Sequence, residues 1–337
     1  MKIPAGLLLY FLFIHNLSFA QGISLSDRKY LTQKEDSMKK QGIAILHGIK
    51  SDDRLKADSI FTRMFMRSLQ VRNSFYYRFD SLETISQLYP PDSSFRIFTW
   101  QLVINENVIR QHGVIQMRTS DGSLKRFPLI NRTVVTQNNE DTITSNMGWI
   151  GAVYYRIIQN KGFNKNYYTL LGFDENNIRS DRKIIEVLSF ENGEPVFGAH
   201  LFKFANKDRN SGSSISRYIM EFKKEAGPRL TYDPDMDMII FEHLVSESNQ
   251  PNKKWTYIGD GDYEGFKWIN GYWVHIEKVY NNITPLGKEP LPNPIRDSEG
   301  NINETRLKDN EEEKKPDTEL KSKPKKVIPP GKKGNDN

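Results

Sequence analysis

Two clusters of acidic residues have the types and the spacing that metal chemistry requires. They comprise Asp233, Asp235 and Asp237 in the first cluster, and Asp260, Asp262 and Glu264 in the second. Closely spaced carboxylates in a glycine-containing loop can supply the oxygen ligands that Ca²⁺ prefers. The candidate calcium ligands are therefore Asp233, Asp235, Asp260, Asp262 and Glu264.

The second cluster matches the start of an EF-hand loop, with acids at the first, third and fifth positions and glycine at the sixth. The match fails at the twelfth position, where Gly271 stands in place of the bidentate glutamate. The segment that follows is also predicted to be a strand rather than a helix. Aspartate and glycine are common in turns between strands. We therefore expect both clusters to form turns, with no metal or other cofactor bound, and calcium binding by these residues is the alternative.

The histidines that follow the first twenty residues are isolated from one another in the sequence. They are His47, His112, His200, His243 and His275. No HExxH or His-x-His spacing occurs, so a zinc site would need distant residues to converge. His243 follows Glu242, but neighbours on a strand point to opposite faces, so the two cannot act as one dyad. We expect His243 to be a hydrogen-bonded structural residue.

Motifs for nucleophilic or nucleotide chemistry are missing from the sequence. There is no Gly-x-Ser-x-Gly, no phosphate-binding loop and no dinucleotide fingerprint. Serines do follow Gly212, but this polar segment is typical of a hairpin tip. Catalysis is left undecided by these observations, which favour a protein that is not an enzyme.

The N-terminal region, residues 21–92, is predicted to be helical. Ser26 is a plausible N-cap for a first helix that runs to about Ile43, and Ser51 for a second. In the second helix, apolar residues recur at spacings of three and four and form one stripe, which is typical of a core-facing helix. A short third helix is predicted to begin at Asp80 or Ser81, because Leu82, Ile85 and Leu88 repeat at helical spacing.

From Phe95 the apolar period changes to two, which predicts a series of strands over residues 93–284, among them strands at 195–204, 254–258 and 264–269. Asn192-Gly193 and Asn270-Gly271 supply the two positive-φ residues of a type I′ turn, so each predicts a hairpin. A two-residue turn at 270–271 places Trp268 opposite Trp273. No long helical pattern separates the strands, so the sheet should be mainly antiparallel. The predicted fold class is α+β, with a small helical layer packed on a multi-stranded sheet domain.

Residues 1–20 have the pattern of a secretory signal peptide. Lys2 precedes a short apolar run, and Ser18-Phe19-Ala20 places small residues where signal peptidase requires them. No later apolar run is long enough to span a membrane. The chain has no cysteine, which excludes a disulfide framework and fits a bacterial periplasm or exterior. We expect an exported protein without a membrane span after signal cleavage.

The C-terminal region, residues 285–337, is rich in proline and charge and is predicted to be disordered. The formal net charge is +6, and a cluster of lysines near the C-terminus can account for it: Lys321, Lys323, Lys325, Lys326, Lys332 and Lys333. Such a tail is usually solvated, and export removes nucleic acid as a partner. Weak contact with an anionic envelope surface is the remaining role for it.

Several short strings between about Phe75 and Val279 resemble a set of uncharacterised exported proteins of Bacteroidota-type bacteria. The strings are Phe79–Leu82, Ser94–Trp100, Arg182–Ile185, Phe197–Gly198, Leu230–Asp233, Glu242–Leu244 and Asp260–Phe266. The resemblance implies a periplasmic or secreted setting and a β-rich core, and it implies no activity.

Together these features predict a non-catalytic exported protein of the bacterial cell envelope that binds an envelope component or ligand. The alternative is an extracytoplasmic hydrolase that uses convergent carboxylates, supported by Ca²⁺. Five tryptophans could serve the binding function by stacking on sugar rings, although core packing is the simpler role for them.

Overall fold

The computed structural model describes residues 22–204 and 215–280. The predicted signal peptide (1–20), the serines that follow Gly212 and the predicted tail (285–337) lie outside the described residues.

Two helices form the N-terminal part of the fold: α1 (Leu25–His47) and α2 (Ser51–Leu69). The first helix is capped by the hydroxyl of Ser24, which accepts a hydrogen bond from the Asp27 backbone N–H at 3.0 Å. The second helix begins at Ser51, but its N-cap is Lys50 rather than the predicted Ser51, and no side chain caps it. Its apolar stripe is buried, as the sequence predicts. No helix in the described part of the chain is long and apolar enough to cross a membrane.

The strands form three sheets. Sheet 1 has the order β1-β2-β3-β4 and consists of β1 (Ser86–Leu88), β2 (Phe95–Asn105), β3 (Val108–Met117) and β4 (Lys125–Leu129). Sheet 2 has the order β5-β9-β8-β7-β6, with β11 also paired to β8. Its strands are β5 (Thr144–Ser145), β6 (Val153–Gly162), β7 (Lys165–Asp174), β8 (Ser180–Glu191), β9 (Glu194–Phe197) and β11 (Tyr218–Lys223).

Sheet 3 has the order β10-β15-β14-β13-β12. Its strands are β10 (Phe202–Lys203), β12 (Leu230–Asp233), β13 (Met238–Ser246), β14 (Tyr257–Ile269) and β15 (Tyr272–Ile276). Every pair in the three sheets is antiparallel except β10 with β15. The α+β class and the mainly antiparallel arrangement predicted from the sequence are therefore confirmed.

The hydrophobic core lies in three successive layers. The helices pack on one face of sheet 1, where Phe65 of α2 meets Phe98 of β2 edge-on at 4.8 Å between ring centroids. The other face of sheet 1 packs on sheet 2, and the far face of sheet 2 packs on sheet 3. Because neighbours on β7 point to opposite faces, Leu170 enters one core and Leu171 the next.

Both hairpins predicted from Asn-Gly pairs are present. Asn192 and Gly193 have φ of 52° and 80°, and Asn270 and Gly271 have φ of 50° and 85°. Trp268 lies opposite Trp273, as predicted, and the two rings meet edge-on at 5.2 Å. The turn sequences therefore fix the register of both hairpins.

The predicted third helix is wrong. Leu82 and Ile85 are buried, but they lie in turns closed by Leu82 N–H···O=C Phe79 and Ile85 N–H···O=C Leu82. The segment then forms β1 and pairs with Ile97–Thr99 of β2. Pairing with the open edge of β2 satisfies more backbone groups than a single helical turn would, so tertiary structure overrides the local spacing.

Two strand boundaries also differ from the predictions. The strands predicted at 254–258 and 264–269 form the single strand β14, and residues Lys254–Thr256 form a 3₁₀ turn before it. The strand predicted at 195–204 is divided into β9 and β10, which belong to different sheets. The acidic segment between the two predicted halves of β14 is a bulge within the strand, which alternation alone does not reveal.

Candidate functional site

A cleft of about 710 Å³ lies between sheets 2 and 3 and is bordered by β11, β13 and β14. Its floor is aromatic: Tyr218 lies 5.0 Å from Phe241 and 6.1 Å from Phe204 between ring centroids. The loop at 137–140 forms part of its wall. The cleft has the size of a typical small-molecule site and a mixture of apolar and charged groups.

Four titratable side chains form a continuous chain at one side of this cleft. Asp260 Oδ2 lies 2.7 Å from His243 Nδ1, and His243 Nε2 lies 3.6 Å from Glu264 Oε1. The second oxygen of Glu264, Oε2, lies 2.8 Å from Nε2 of His275. One carboxylate is therefore shared between two imidazoles, and a second carboxylate holds the outer one.

The register of β14 and β15 brings Glu264 and His275 together. The two-residue turn at 270–271 places Phe266 opposite His275. Glu264 lies two residues before Phe266 and therefore on the same face, diagonal to His275. This pair was missed in the sequence, although the predicted hairpin register contains the information needed to find it.

A bulge positions the other half of the chain. Glu242 pairs with Tyr263, but Leu244 pairs with Gly259, so three residues of β14 lie opposite His243 alone. Within the bulge Gly261 has φ of 88°, a conformation that favours glycine. The extra residues bend the strand and bring the Asp260 side chain against His243.

Burial divides these four residues into an inner and an outer pair. Glu264 and His275 are each 7% exposed, whereas the side chains of His243 and Asp260 are 34% and 30% exposed. The inner carboxylate is thus held by imidazole nitrogens away from bulk water. The outer imidazole borders the cleft, and its two ring nitrogens face the carboxylates of Asp260 and Glu264.

Charged residues of both signs complete the cleft. Lys254 and Arg182 lie along it together with Glu221, whose carboxylate accepts from Arg182 Nε at 3.2 Å. Arg182 also lies 3.8 Å from the buried carboxylate of Asp174. Burial raises the pKa of Asp174 to about 6, against the opposing effect of Arg182. The cleft can therefore meet both anionic and cationic groups of a ligand.

A second buried glutamate helps to hold the loop at 137–140 that forms part of the cleft wall. Glu186 accepts from Arg217 Nε at 2.9 Å, and both side chains are fully buried. Arg217 also donates to the backbone carbonyls of Asn139 and Thr142. Burial raises the pKa of Glu186, and the Arg217 charge counteracts this effect. The pair fastens the loop that contains Asn139 to sheet 2.

The candidate calcium ligands do not form one group. Asp233 accepts from the backbone N–H of Asp235 at 2.9 Å and closes the β12–β13 turn. This turn lies at the Met238 end of β13, and the bulge with Asp260 and Asp262 lies towards the other end.

Within the second cluster, Asp260 and Glu264 both contact His243, whereas Asp262 lies 3.9 Å from Lys278. Within residues 22–204 and 215–280, no group of three His, Cys, Asp or Glu side chains is arranged to hold a metal ion.

The remaining predicted site residues have separate partners. Glu242 accepts from the backbone N–H of Arg229, so it does not share the contacts of His243. His112 stacks on Trp100 and lies 3.4 Å from Asp58, and burial lowers its pKa. Trp100 is buried, as are two more of the five tryptophans, Trp149 and Trp273.

The two part-buried tryptophans are occupied by protein groups. Trp255 lies beneath the guanidinium of Arg179, and the ring N–H of Trp268 donates to the Lys161 carbonyl.

Comparison of the chain with protein families, with curated proteins and with solved structures finds no match.

Proposed function

We propose that the protein is an exported, non-catalytic protein of the bacterial envelope that binds a ligand in the cleft between sheets 2 and 3. The observation that carries the proposal is the composition of that cleft. An aromatic floor lies beside the Glu264–His243–Asp260 chain and beside cationic side chains such as Lys254. A ligand with hydroxylated rings and both amino and carboxyl groups complements this surface.

The choice of binding over catalysis rests on the groups that border the cleft. None of the described residues that line it is serine, threonine or cysteine, so no hydroxyl or thiol of those types is available there as a nucleophile. His243 already has Asp260 at one ring nitrogen and Glu264 near the other. The position of His243 therefore helps to determine the shape of the cleft and the charge along its wall.

Soluble muropeptides released from a bacterial cell wall are a probe with the required groups. We expect residues 21–337 to bind them saturably in isothermal titration calorimetry. Lys254→Ala, which removes a charge at the cleft, should weaken binding several-fold. Lys253→Ala is a matched control, because this neighbour does not line the cleft. Absence of binding, or an equal loss in both variants, would contradict the proposal.

The second candidate function is hydrolysis, and the hydrogen bond between Asp260 and His243 is the observation that favours it. A carboxylate on Nδ1 orients an imidazole so that Nε2 can accept a proton from water. In a hydrolase, muropeptides incubated with the protein would split, the two products together gaining the mass of one water. Mass spectrometry that detects this change in the wild type but not in His243→Ala would replace the binding proposal with the catalytic one.

Export is tested separately. Cell fractionation should recover the protein outside the cytoplasm with Gln21 as its first residue. A cytosolic protein that begins with Met1 would contradict the exported setting and leave the cleft measurements unaffected.

A further inference from the structure

Two hairpin tips, one from sheet 2 and one from sheet 3, lie side by side. The β6–β7 hairpin turns at Phe163-Asn164, and the β14–β15 hairpin turns at Asn270-Gly271. The Gly271 backbone lies so close to the Phe163 ring that a Cβ there would come within 2.9 Å of it. The ring of Tyr272 also meets the Phe163 ring edge-on, at 5.2 Å between centroids. The two tips therefore form one continuous surface.

Phe163 occupies a backbone position that is unfavourable for a bulky residue. A two-residue turn of this kind requires positive φ at both central positions, and φ is 50° at Phe163 and 61° at Asn164. The tips at 192–193 and 270–271 meet the same requirement with Asn-Gly. The side chain of Phe163 is 57% exposed, so burial offsets little of the conformational cost. An exposed aromatic ring at a strained position indicates a contact outside the chain.

Lysines surround the two tips. They are Lys161, Lys165, Lys203 and Lys267. The ammonium group of Lys203 lies over the Tyr272 ring, 3.3 Å from its centroid. Among residues 22–204 and 215–280, only Lys165 of the four has a carboxylate partner, Glu191 at 2.9 Å. The other three positive charges are therefore available to anionic groups beside an apolar centre.

We propose that the two hairpin tips dock on the surface of an anionic lipid bilayer. Phe163 and the exposed Ile269 enter the headgroup region, where their apolar surface leaves water, and the lysines meet the lipid phosphates. The lysines favour this occupant over an apolar protein surface, which would leave their charges unmatched. Each lysine near an anionic bilayer strengthens binding about fivefold. Phe163 and Ile269 do not line the cleft, so this contact is independent of the cleft ligand.

The test is co-sedimentation of the protein (residues 21–337) with vesicles of phosphatidylglycerol or of phosphatidylcholine. In about 0.1 M salt, we expect partitioning onto the anionic vesicles to be at least fivefold stronger than onto the zwitterionic ones. Equal binding to the two lipids would show that the lysines are not used, and absence of binding to phosphatidylglycerol would show that the tips do not dock on a bilayer. Either result overturns the proposal.

Phe163→Asn separates membrane contact from packing. Asparagine suits positive φ, so the unfolding temperature should stay the same or rise, while partitioning onto phosphatidylglycerol vesicles should fall at least fivefold. Val134→Asn is the matched control, because Val134 is 97% exposed in a segment without lysine, and its binding should not change.

The lysine-rich C-terminal region is present in both variants. Unchanged vesicle binding in Phe163→Asn would therefore assign the contact to that region and overturn the proposal. A loss of binding together with a lower unfolding temperature would show that the ring serves packing, which would overturn it as well. Muropeptide titration of Phe163→Asn should match the wild type, so failure of this proposal is distinguishable from failure of the cleft proposal.

Discussion

Glu186 and Glu264 are both buried glutamates on central strands, but their surroundings differ. Glu186 is paired with Arg217 and enclosed on every side, and neither side chain has any exposed surface. Glu264 is shared between two histidines, one of which borders a cleft. The first pair has no path to a ligand. The second is connected to solvent through His243 and Asp260.

The comparison shows that burial of a charged group does not by itself indicate a functional site. Arg217 Nη1 donates to the carbonyls of Asn139 and Thr142, so the Glu186–Arg217 pair holds the backbone of that loop in place. Glu264 has two imidazoles as partners, and one of them, His243, lies beside an open volume. Glu186 and Glu264 therefore differ in the partners of their carboxylates and in the open space beside those partners, and not in the burial of the carboxylate itself.

The largest effect is expected from Glu186→Gln. The change leaves the Arg217 charge buried without a counter-ion, which should lower the free energy of unfolding by about 3–5 kcal/mol in urea titrations. The paired change Glu186→Leu with Arg217→Met leaves no unpaired charge and should recover part of the loss, although the carbonyls of Asn139 and Thr142 lose their donor. A single-variant loss below about 1 kcal/mol would show that the pair is not structural.

Asp174→Asn tests a third buried carboxylate, whose charged partner Arg182 lies farther away. The folded-state pKa of Asp174, about 6, is above its ordinary value of 3.8. Its contribution to stability is therefore complete below pH 3.8 and is lost as the pH rises through about 6. The stability of the variant relative to the wild type should rise by up to about 3 kcal/mol between pH 4 and pH 7 in urea titrations. A pH-independent difference would contradict this assignment.

Glu264→Gln should have a smaller effect on stability and a larger one on binding. An amide keeps one acceptor but cannot serve both histidines as a carboxylate does, so we expect a loss of about 2 kcal/mol in unfolding free energy. Muropeptide affinity should fall at least tenfold in calorimetry. If stability fell as far as in Glu186→Gln while binding survived, the two glutamates would share a structural role.

The smallest stability effect is expected from Asp260→Asn, because the exposed contact with His243 contributes under about 1 kcal/mol. Binding to the cleft should still weaken, since the orientation of His243 changes. Asp262→Asn alters the neighbouring carboxylate in the same bulge and serves as the control in both thermal unfolding and calorimetry. Identical behaviour of the two variants would remove Asp260 from the site.

Local sequence signals predicted the hairpins well and the site poorly. Asn270-Gly271 specifies backbone geometry within two residues, so the turn and the Trp268–Trp273 pair followed directly. The prediction of a third helix is wrong because residues 86–88 pair with the edge of β2, which is formed by residues later in the chain. Local spacing contains no information about a partner of that kind.

The site residues were recognised one at a time and were not brought together. The sequence pattern indicates turn residues, or alternatively calcium ligands, at Asp260 and Glu264, and a structural residue at His243. Their association depends on the bulge opposite His243, which arises from the pairing of β13 with β14. The Glu186–Arg217 pair also cannot be predicted from local sequence, because it joins Glu186 on β8 to Arg217, which directly precedes β11, 31 residues later in the chain.

The contact between Arg217 and the carbonyls of Asn139 and Thr142 also constrains the order of folding. It joins positions separated by more than 70 residues in the chain, so closing that loop must precede any gain from the contact. During synthesis the N-terminal segment emerges first, and the wall at 137–140 stays without its anchor until residue 217 has followed. The cleft is therefore completed late, after the helices and the first sheet already have all of their own residues.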